Sequence, residues 1–274
     1  MTTPDGPPTE PPYPAPYGEP VPAGPTLVDR LRRFFAPVAA AGLAVVKYGA
    51  FVLKFKAFTL VFSMVASVWA YALLYGWTFA VGIVMMIFVH EMGHVVVLRA
   101  RGIEAGLPVF LPFLGAFVSM KSQPKSVYDE SLSGIAGPVF GVAAAFGALG
   151  LAGLYDSNLL RAVAYVGFLI NLFNLLPVLP LDGGRTVAAL SPKLWLAGLL
   201  MLLGYEVWRP SPVIPFILLL GGFELYRRWK GRNTEASRAY FALTPRQRVN
   251  IGSAYAGLIV VILWAMHSYP LPPR

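Results

Sequence analysis

The chain has 274 residues, of which 57% are hydrophobic and only 13% are charged. So few charges exclude an ordinary soluble domain, in which about 25% of residues are charged, and the absence of cysteine excludes a disulfide framework and a thiolate metal site. A formal net charge of +9 could point to nucleic acid, but the Lys and Arg residues fall in predicted loops on one side of a membrane, so we expect no nucleic-acid partner.

The N-terminal region is polar and rich in proline. Residues 1–26 hold ten of the 25 prolines, and such a composition cannot bury enough apolar surface to fold. The sequence predicts a disordered cytoplasmic tail here, with a proline-rich ligand for a partner domain as the alternative. Residues 27–57 alternate cationic and apolar side chains, which is typical of a helix lying along an anionic lipid surface.

Long apolar runs predict an all-α polytopic membrane protein with six or seven transmembrane helices. Most of the runs approach the ~20 residues that cross a bilayer; in chain order they are 58–75, 77–98, 132–154, 159–178, 194–208, 213–226 and 251–267. Seven spans with a cytoplasmic N-terminus place nearly all cationic residues on the cytoplasmic side, as the positive-inside rule requires, whereas six do not. The chain then divides into the tail (1–26), the basic juxtamembrane segment (27–57), the first two spans with the loop after them (58–130), the third and fourth spans (131–185) and the C-terminal spans (186–274).

The loop after the second span, residues 103–121, is apolar but interrupted by prolines and glycines. Pro108 and Pro112 break any helix, and basic residues on both sides keep both ends on one face of the membrane. We therefore expect a re-entrant, hairpin-like segment. Non-helical backbone is tolerated at membrane depth only beside a cavity, so this segment is expected to border a wet site. A loop lying on the membrane surface is the alternative.

The second predicted span contains His90, Glu91 and His94 in the pattern H-E-x-x-H. Residues four apart on a helix differ by about 40° around the axis and ~6 Å along it, so both imidazoles can reach one metal ion. Glu91 is near enough to activate a water molecule there. A charged carboxylate near the bilayer centre costs at least ~2.5 kcal/mol, so Glu91 needs a partner or a function. Buried histidines in a polar helix interface are the alternative, which leaves this cost unexplained.

A catalytic metal site needs a third protein ligand and an open position. The remaining histidine, His267, lies at the far end of the last predicted span, on the opposite side of the membrane. Asp182, in the stretch L-P-L-D-G-G-R at the cytoplasmic end of the fourth span, is the best candidate that is left. Taken alone, its Asp-Gly pair slightly favours a turn or a helix cap.

Two motifs together carry a family resemblance. The H-E-x-x-H pattern and the stretch N-L-L-P-V-L-P-L-D-G at 174–183 resemble the site-2 protease family of intramembrane zinc metalloproteases. The resemblance covers about residues 77–185 and includes the glycine-rich third helix. It implies that His90, His94 and Asp182 hold one zinc ion per chain and that Glu91 is the general base.

The resemblance also assigns the two asparagines of the fourth span. It implies that Asn174 orients the substrate or the tetrahedral oxyanion, and that Asn171, three residues earlier, is a helix-packing group. On the third span, Gly137 and Gly141 form a G-x-x-x-G pair, for which close helix packing is the expected role.

The sequence thus predicts an intramembrane zinc endopeptidase that cleaves a transmembrane protein substrate within the lipid bilayer. A transporter or proton relay that uses Glu91 and Asp182 is one alternative, since intramembrane acids mark ion paths. A catalytically silent membrane scaffold is another. Rich use of Ala, Gly, Pro and Arg favours a bacterial protein, which we expect to be integral to the inner membrane with its N-terminus in the cytoplasm.

Overall fold

The structure is a computed structural model that describes residue 36 and residues 56–211, 213–231 and 233–271. The predicted tail (1–26) and almost all of the juxtamembrane segment (27–57) lie outside the described residues. The elements in the described part are, in chain order, α1 (Lys56–Tyr75), α2 (Trp77–Ala100), β1 (Ala105–Leu111), β2 (Gly115–Met120), α3 (Val127–Leu154), α4 (Asn158–Asn174), α5 (Asp182–Val187), α6 (Pro192–Trp208), α7 (Ile214–Gly231), α8 (Glu235–Tyr240) and α9 (Pro245–Ser268).

The first two helices follow each other with only Gly76 between them. The φ angle of Gly76 is 80°, a conformation that glycine adopts without strain, so the chain can change direction within one residue. Leu60 and Met64 of α1 pack against a buried cluster that includes Ile83 and Ile87 of α2. The zinc-motif helix is therefore supported along its first half by α1.

The segment predicted to be hairpin-like folds as an antiparallel β-hairpin. Strands β1 and β2 pair with Val109 opposite Phe117. The backbone N–H of Phe110 donates to Oγ of Ser63 in α1 at 3.2 Å, and the Phe110 ring is buried in the same cluster as Ile83. The hairpin prediction is confirmed, and this small sheet is the one exception to a helical fold among the described residues.

Helices α3 and α4 both begin at a serine cap. The Oγ atoms of Ser126 and Ser157 accept hydrogen bonds from backbone N–H groups of the first turn, as N-cap residues do. Helix α4 ends at Asn174, four residues before the predicted end at 178. Pro177 explains the earlier end, because the residue before a proline disfavours the helical conformation.

The described residues include four helices that are long and apolar enough to cross a membrane: Ala57–Tyr75, Trp77–Ala100, Val127–Leu154 and Pro245–Ser268. The chain is an integral membrane protein. Helix α4 is also apolar but has only 17 residues, and α7 carries Glu224, Arg227, Arg228 and Lys230 in its second half. The number of spans, six or seven, stays a prediction.

Helix α3 contacts α2, α4, α5 and α9 and so lies at the centre of this helix packing. Its small side chains permit close approach, since Ala145 is fully buried in a cluster with Phe168 of α4 and Ile262 of α9. The central helix thereby brings the zinc-motif helix α2 and the short helix α5 to its two sides.

Candidate metal centre

Helix α2 turns the polar side chains of its H-E-x-x-H motif toward the protein interior. His90, Glu91 and His94 are 3%, 8% and 7% exposed, although the rest of the helix is apolar. Buried polar groups persist only with hydrogen-bond partners or a bound ion. The burial of all three therefore calls for such partners.

Asp182 meets the two histidines at their Nε2 atoms. Its Oδ2 lies 2.9 Å from Nε2 of His90 and 3.2 Å from Nε2 of His94, and the two Nε2 atoms are 3.2 Å apart. Around a tetrahedral zinc with ligands at about 2.0–2.1 Å, neighbouring donors lie roughly 3.3 Å apart. This triangle of two nitrogens and one oxygen therefore fits one zinc ion and leaves a fourth position open, as a catalytic site requires.

Asp182 reaches the histidines because it is the first residue of α5, which is held tightly in place. The indole N–H of Trp195 donates to the carbonyl of Gly184 at 2.6 Å. A Cβ atom at Gly183 would lie 2.1 Å from the carbonyl oxygen of Leu175, so only glycine fits there. Leu181 is the N-cap residue of α5 and no side chain caps the helix, so Asp182 is not a helix cap and its carboxylate supplies the third donor.

Two hydrogen bonds orient the imidazoles. Nδ1–H of His90 donates to Oδ1 of Asn171 at 2.8 Å, and Nδ1–H of His94 donates to the carbonyl of Ser133 at 2.7 Å. Nδ2 of Asn171 donates to the carbonyl of Gly167, which fixes the amide so that its oxygen faces His90. With Nδ1 protonated in both rings, both Nε2 atoms carry the lone pairs that a metal needs.

Comparison with known proteins finds a family that part of the chain resembles. The sequence model of peptidase family M50 matches residues 78–157. We call this part of the chain, which is similar to that family, the M50 region. The family match confirms the resemblance to site-2 proteases. The M50 region contains the H-E-x-x-H motif of α2, and it ends before α4 and Asp182.

Two curated relatives share part of the chain. Rip3 of Mycobacterium tuberculosis, named as a zinc metalloprotease, is 36% identical over 118 residues, which are 40% of this chain and 30% of Rip3. Zinc metalloprotease MJ0392 of Methanocaldococcus jannaschii is 30% identical over 112 residues, which are 39% of this chain and 32% of the relative. The match therefore spans about a third of the length of these relatives.

The two asparagines beyond the M50 region make different contacts. Asn171, expected to serve helix packing, contacts the metal ligand His90 and is a positioning residue. Asn174, expected near the substrate, donates from Nδ2 to the carbonyl of Ile170 in its own helix at 3.0 Å. The structure does not bring Asn174 into contact with the metal donors, so its catalytic role stays a prediction. Sequence reasoning missed the contact between Asn171 and His90, although Asn171 lies one helical turn from Asn174 and so could have been considered for the site.

Gly137 and Gly141 of the M50 region give space to the metal site. A Cβ atom at Gly137 would lie 2.2 Å from Nε2 of His94, and one at Gly141 would lie 2.2 Å from Oδ1 of Asn171. Both distances are far below contact distance. The glycine pair does allow close packing, as predicted, but what packs against it is the ligand His94 and the positioning residue Asn171.

Glu91 differs from its neighbours in having no protein partner. Among the described residues, none donates a hydrogen bond to its carboxylate, although the residue is 8% exposed. A buried carboxylate without a donor is costly. Such a group is expected where a water molecule or substrate takes the donor's place.

A buried ion-pair cluster adjoins the M50 site where α3 begins. Arg228 of α7 donates to the two carboxylate oxygens of Glu130 at 2.6 and 3.1 Å, and the Tyr240 hydroxyl donates to Glu130 at 2.7 Å. Burial and the Glu130 charge raise the pKa of Tyr240 well above its usual range, so it stays a neutral donor. No local pattern indicates this cluster, because Glu130 and Arg228 are 98 residues apart.

Proposed function

We propose that this chain is an intramembrane zinc endopeptidase, which hydrolyses peptide bonds in or near the transmembrane segments of other membrane proteins. One observation carries the proposal: three metal donors within hydrogen-bond distance of one another stand next to an unpartnered carboxylate on an apolar helix. The zinc metalloprotease names of the two relatives support the same chemistry.

In the proposed hydrolysis, the metal and the chain's own residues would have separate roles. A zinc ion held by His90, His94 and Asp182 supplies Lewis acidity, which makes water nucleophilic near neutral pH and polarises the scissile carbonyl. Glu91 accepts the proton of the attacking water and passes it to the departing amide nitrogen. The absence of a described donor to Glu91 supports this role, because the carboxylate must be free to receive a proton.

Other groups would position the reactants. Asn171 and the Ser133 carbonyl keep the two imidazoles fixed while substrate enters and leaves. Asn174 is proposed to turn its amide from Ile170 toward the substrate or the oxyanion. The substrate is proposed to be a transmembrane helix that unwinds locally, because a helical peptide bond is shielded by its own hydrogen bonds. The outer edge of β2 pairs with no third strand among the described residues, and it would pair with the unwound strand.

The placement in the cell follows from charge. We propose an inner-membrane protein with seven spans and a cytoplasmic N-terminus, because this arrangement keeps most cationic residues in the cytoplasm. The basic ends of α2 and α7, with Arg99, Arg228 and Lys230, then lie on the same side.

The test compares the chain with its Glu91→Gln variant. Both proteins are expressed in cells, and membrane fragments are identified by mass spectrometry, while zinc in the purified full chains is measured by elemental analysis. We expect one zinc in both proteins, and we expect a single-span protein to accumulate uncut only with Glu91→Gln. Unchanged fragment patterns in the variant would contradict the proposal.

The same experiment separates the two alternatives. A proton relay would lose proton movement in Glu91→Gln but would hold no stoichiometric zinc. A scaffold would keep its cellular effect in Glu91→Gln. His94→Ala serves as the metal control, because it removes a donor and should release the zinc.

A further inference from the structure

A cleft of about 330 Å³ opens between the start of α3, the turn before α5 and the second half of α7. Its walls include polar and charged side chains as well as apolar ones, among them Glu130, Ser133, Pro180, Arg185, Phe223 and Arg228. A cleft of this size and polarity can hold a short extended stretch of peptide.

The cleft adjoins the metal centre on two sides. The carbonyl of Ser133, on one wall, accepts the hydrogen bond that orients His94. Arg185, on another wall, lies three residues after Asp182 in α5, which is less than one helical turn, ~4.5 Å of rise. The cleft is therefore within reach of a peptide held at the metal centre.

The charges of the cleft are paired with one exception. Glu224 pairs with Arg227 and Arg228, and Glu130 pairs with Arg228, so two carboxylates balance two guanidinium groups. Arg185 is half-buried. Among the described residues, none forms a hydrogen bond or an ion pair with its guanidinium group.

The guanidinium group of Arg185 is near enough to Glu91 for the two charges to attract, but the two side chains form no ion pair. A divalent ion held by His90, His94 and Asp182 would balance the charges of Asp182 and Glu91, so the positive charge of Arg185 would stay uncompensated in the loaded site. A partly desolvated guanidinium group binds a carboxylate with two parallel hydrogen bonds better than any other common side chain does.

We propose that Arg185 is a specificity determinant, which binds the carboxylate of an Asp or Glu residue of the substrate within the cleft. This inference rests on the proposed function. The ~4.5 Å rise from Asp182 to Arg185 plus the length of an arginine side chain spans about 10 Å, which is three residues of extended peptide at ~3.3 Å each. The acidic residue therefore lies within about three positions of the cleaved bond.

Binding of synthetic peptides to the full chain tests this inference without requiring cleavage. The chain carries Glu91→Gln, is loaded with zinc and is held in bilayer discs. The probes are single-span peptides that differ in one residue, Asp, Asn or Lys, placed in turn at each position within three residues of a central Gly-Gly. Affinity is measured by fluorescence anisotropy of the labelled peptide.

We expect the Asp peptide to bind roughly tenfold more tightly than the Asn peptide at one position or more, as one charge-assisted hydrogen bond would cause. Adding Arg185→Gln should abolish this ratio, and Arg185→Glu should transfer the preference to the Lys peptide. Arg161→Gln is the matched control, because Arg161 pairs with Asp156 at the other end of α3 and should leave the ratio intact.

Equal affinities for the three peptides at every position would overturn the inference, and so would a preference that persists in Arg185→Gln. If both Arg185 substitutions prevent folding, the test uses the chain that retains Arg185. Tighter binding of the Asp peptide than of the Lys peptide then supports the inference, and equal binding overturns it. Failure of the proposed function has a different signature, since the zinc-loaded chain with Glu91 intact would then cleave none of the peptides, whatever they bind.

Discussion

Nδ1–H of His90 donates to Oδ1 of Asn171 at 2.8 Å and joins residues that are 81 positions apart. The contact leaves Nε2 of His90 unprotonated and directed at Asp182. Asn171 therefore acts on the metal through its ligand, not by coordination.

Asn171→Leu should weaken zinc binding roughly 10- to 100-fold, as loss of a residue that orients a ligand commonly does. The measurement is competition for zinc with a chromophoric chelator. Asn174→Leu is the matched control on the same helix, and its zinc affinity should equal that of the parent chain. Equal losses in both variants would show that the helix, and not the His90 contact, is responsible.

Gly137→Ala should abolish stoichiometric zinc binding, because the added Cβ would lie 2.2 Å from Nε2 of His94. Gly147→Ala offers a control on the same helix, since a Cβ there would meet no atom within 4 Å. We expect this control to bind zinc and to change the free energy of unfolding by less than about 1 kcal/mol. Elemental analysis and thermal unfolding check both statements, and full zinc occupancy in Gly137→Ala would be inconsistent with the packing described.

Removal of zinc by a chelator should lower the unfolding temperature of the detergent-solubilised chain, and added zinc should restore it. Free zinc at 100 times its dissociation constant stabilises the folded state by about 2.7 kcal/mol if the unfolded chain does not bind it. Asp182→Ala lacks one donor, so its unfolding temperature should not respond to either treatment. A response of the same size in Asp182→Ala would place the stabilising metal elsewhere.

Glu130→Gln should destabilise the fold by about 2–3 kcal/mol, because it leaves the buried Arg228 without its main carboxylate. This loss of stability is small for a buried ion pair, because the Arg228 side chain is 20% exposed and retains its ion pair with Glu224. Asp156→Asn breaks an ion pair whose carboxylate is 91% exposed, and we expect a change below about 0.5 kcal/mol. Denaturant unfolding in detergent compares the two variants, and equal effects would argue against a structural role for the cluster.

The parts of the site that are local in sequence could be predicted, and the parts set by packing could not. His90 and His94 lie on one face of any α-helix, whatever the rest of the fold. The prediction that Asp182 is a ligand depended on a second motif and its family resemblance. Helix geometry alone does not show which distant turn lies beside the zinc helix.

The sequence could not show whether Asn171 or Asn174 contacts His90. Both occupy one helix, one turn apart, and only the relative position of α2 and α4 determines which amide meets His90. Pairing of Glu130 with Arg228 depends in the same way on how α7 packs against α3. The β-hairpin was predictable because Pro108 and Pro112 exclude a helix wherever the segment lies.

The donors of the metal centre come from residues separated by 92 positions along the chain. During synthesis the polypeptide emerges from its N-terminus, so α2 and α3 leave the ribosome before the aspartate does. Loading of the ion must therefore be a late event in biogenesis. If the proposed function holds, a nascent chain gains no proteolytic activity before residue 182 has been translated.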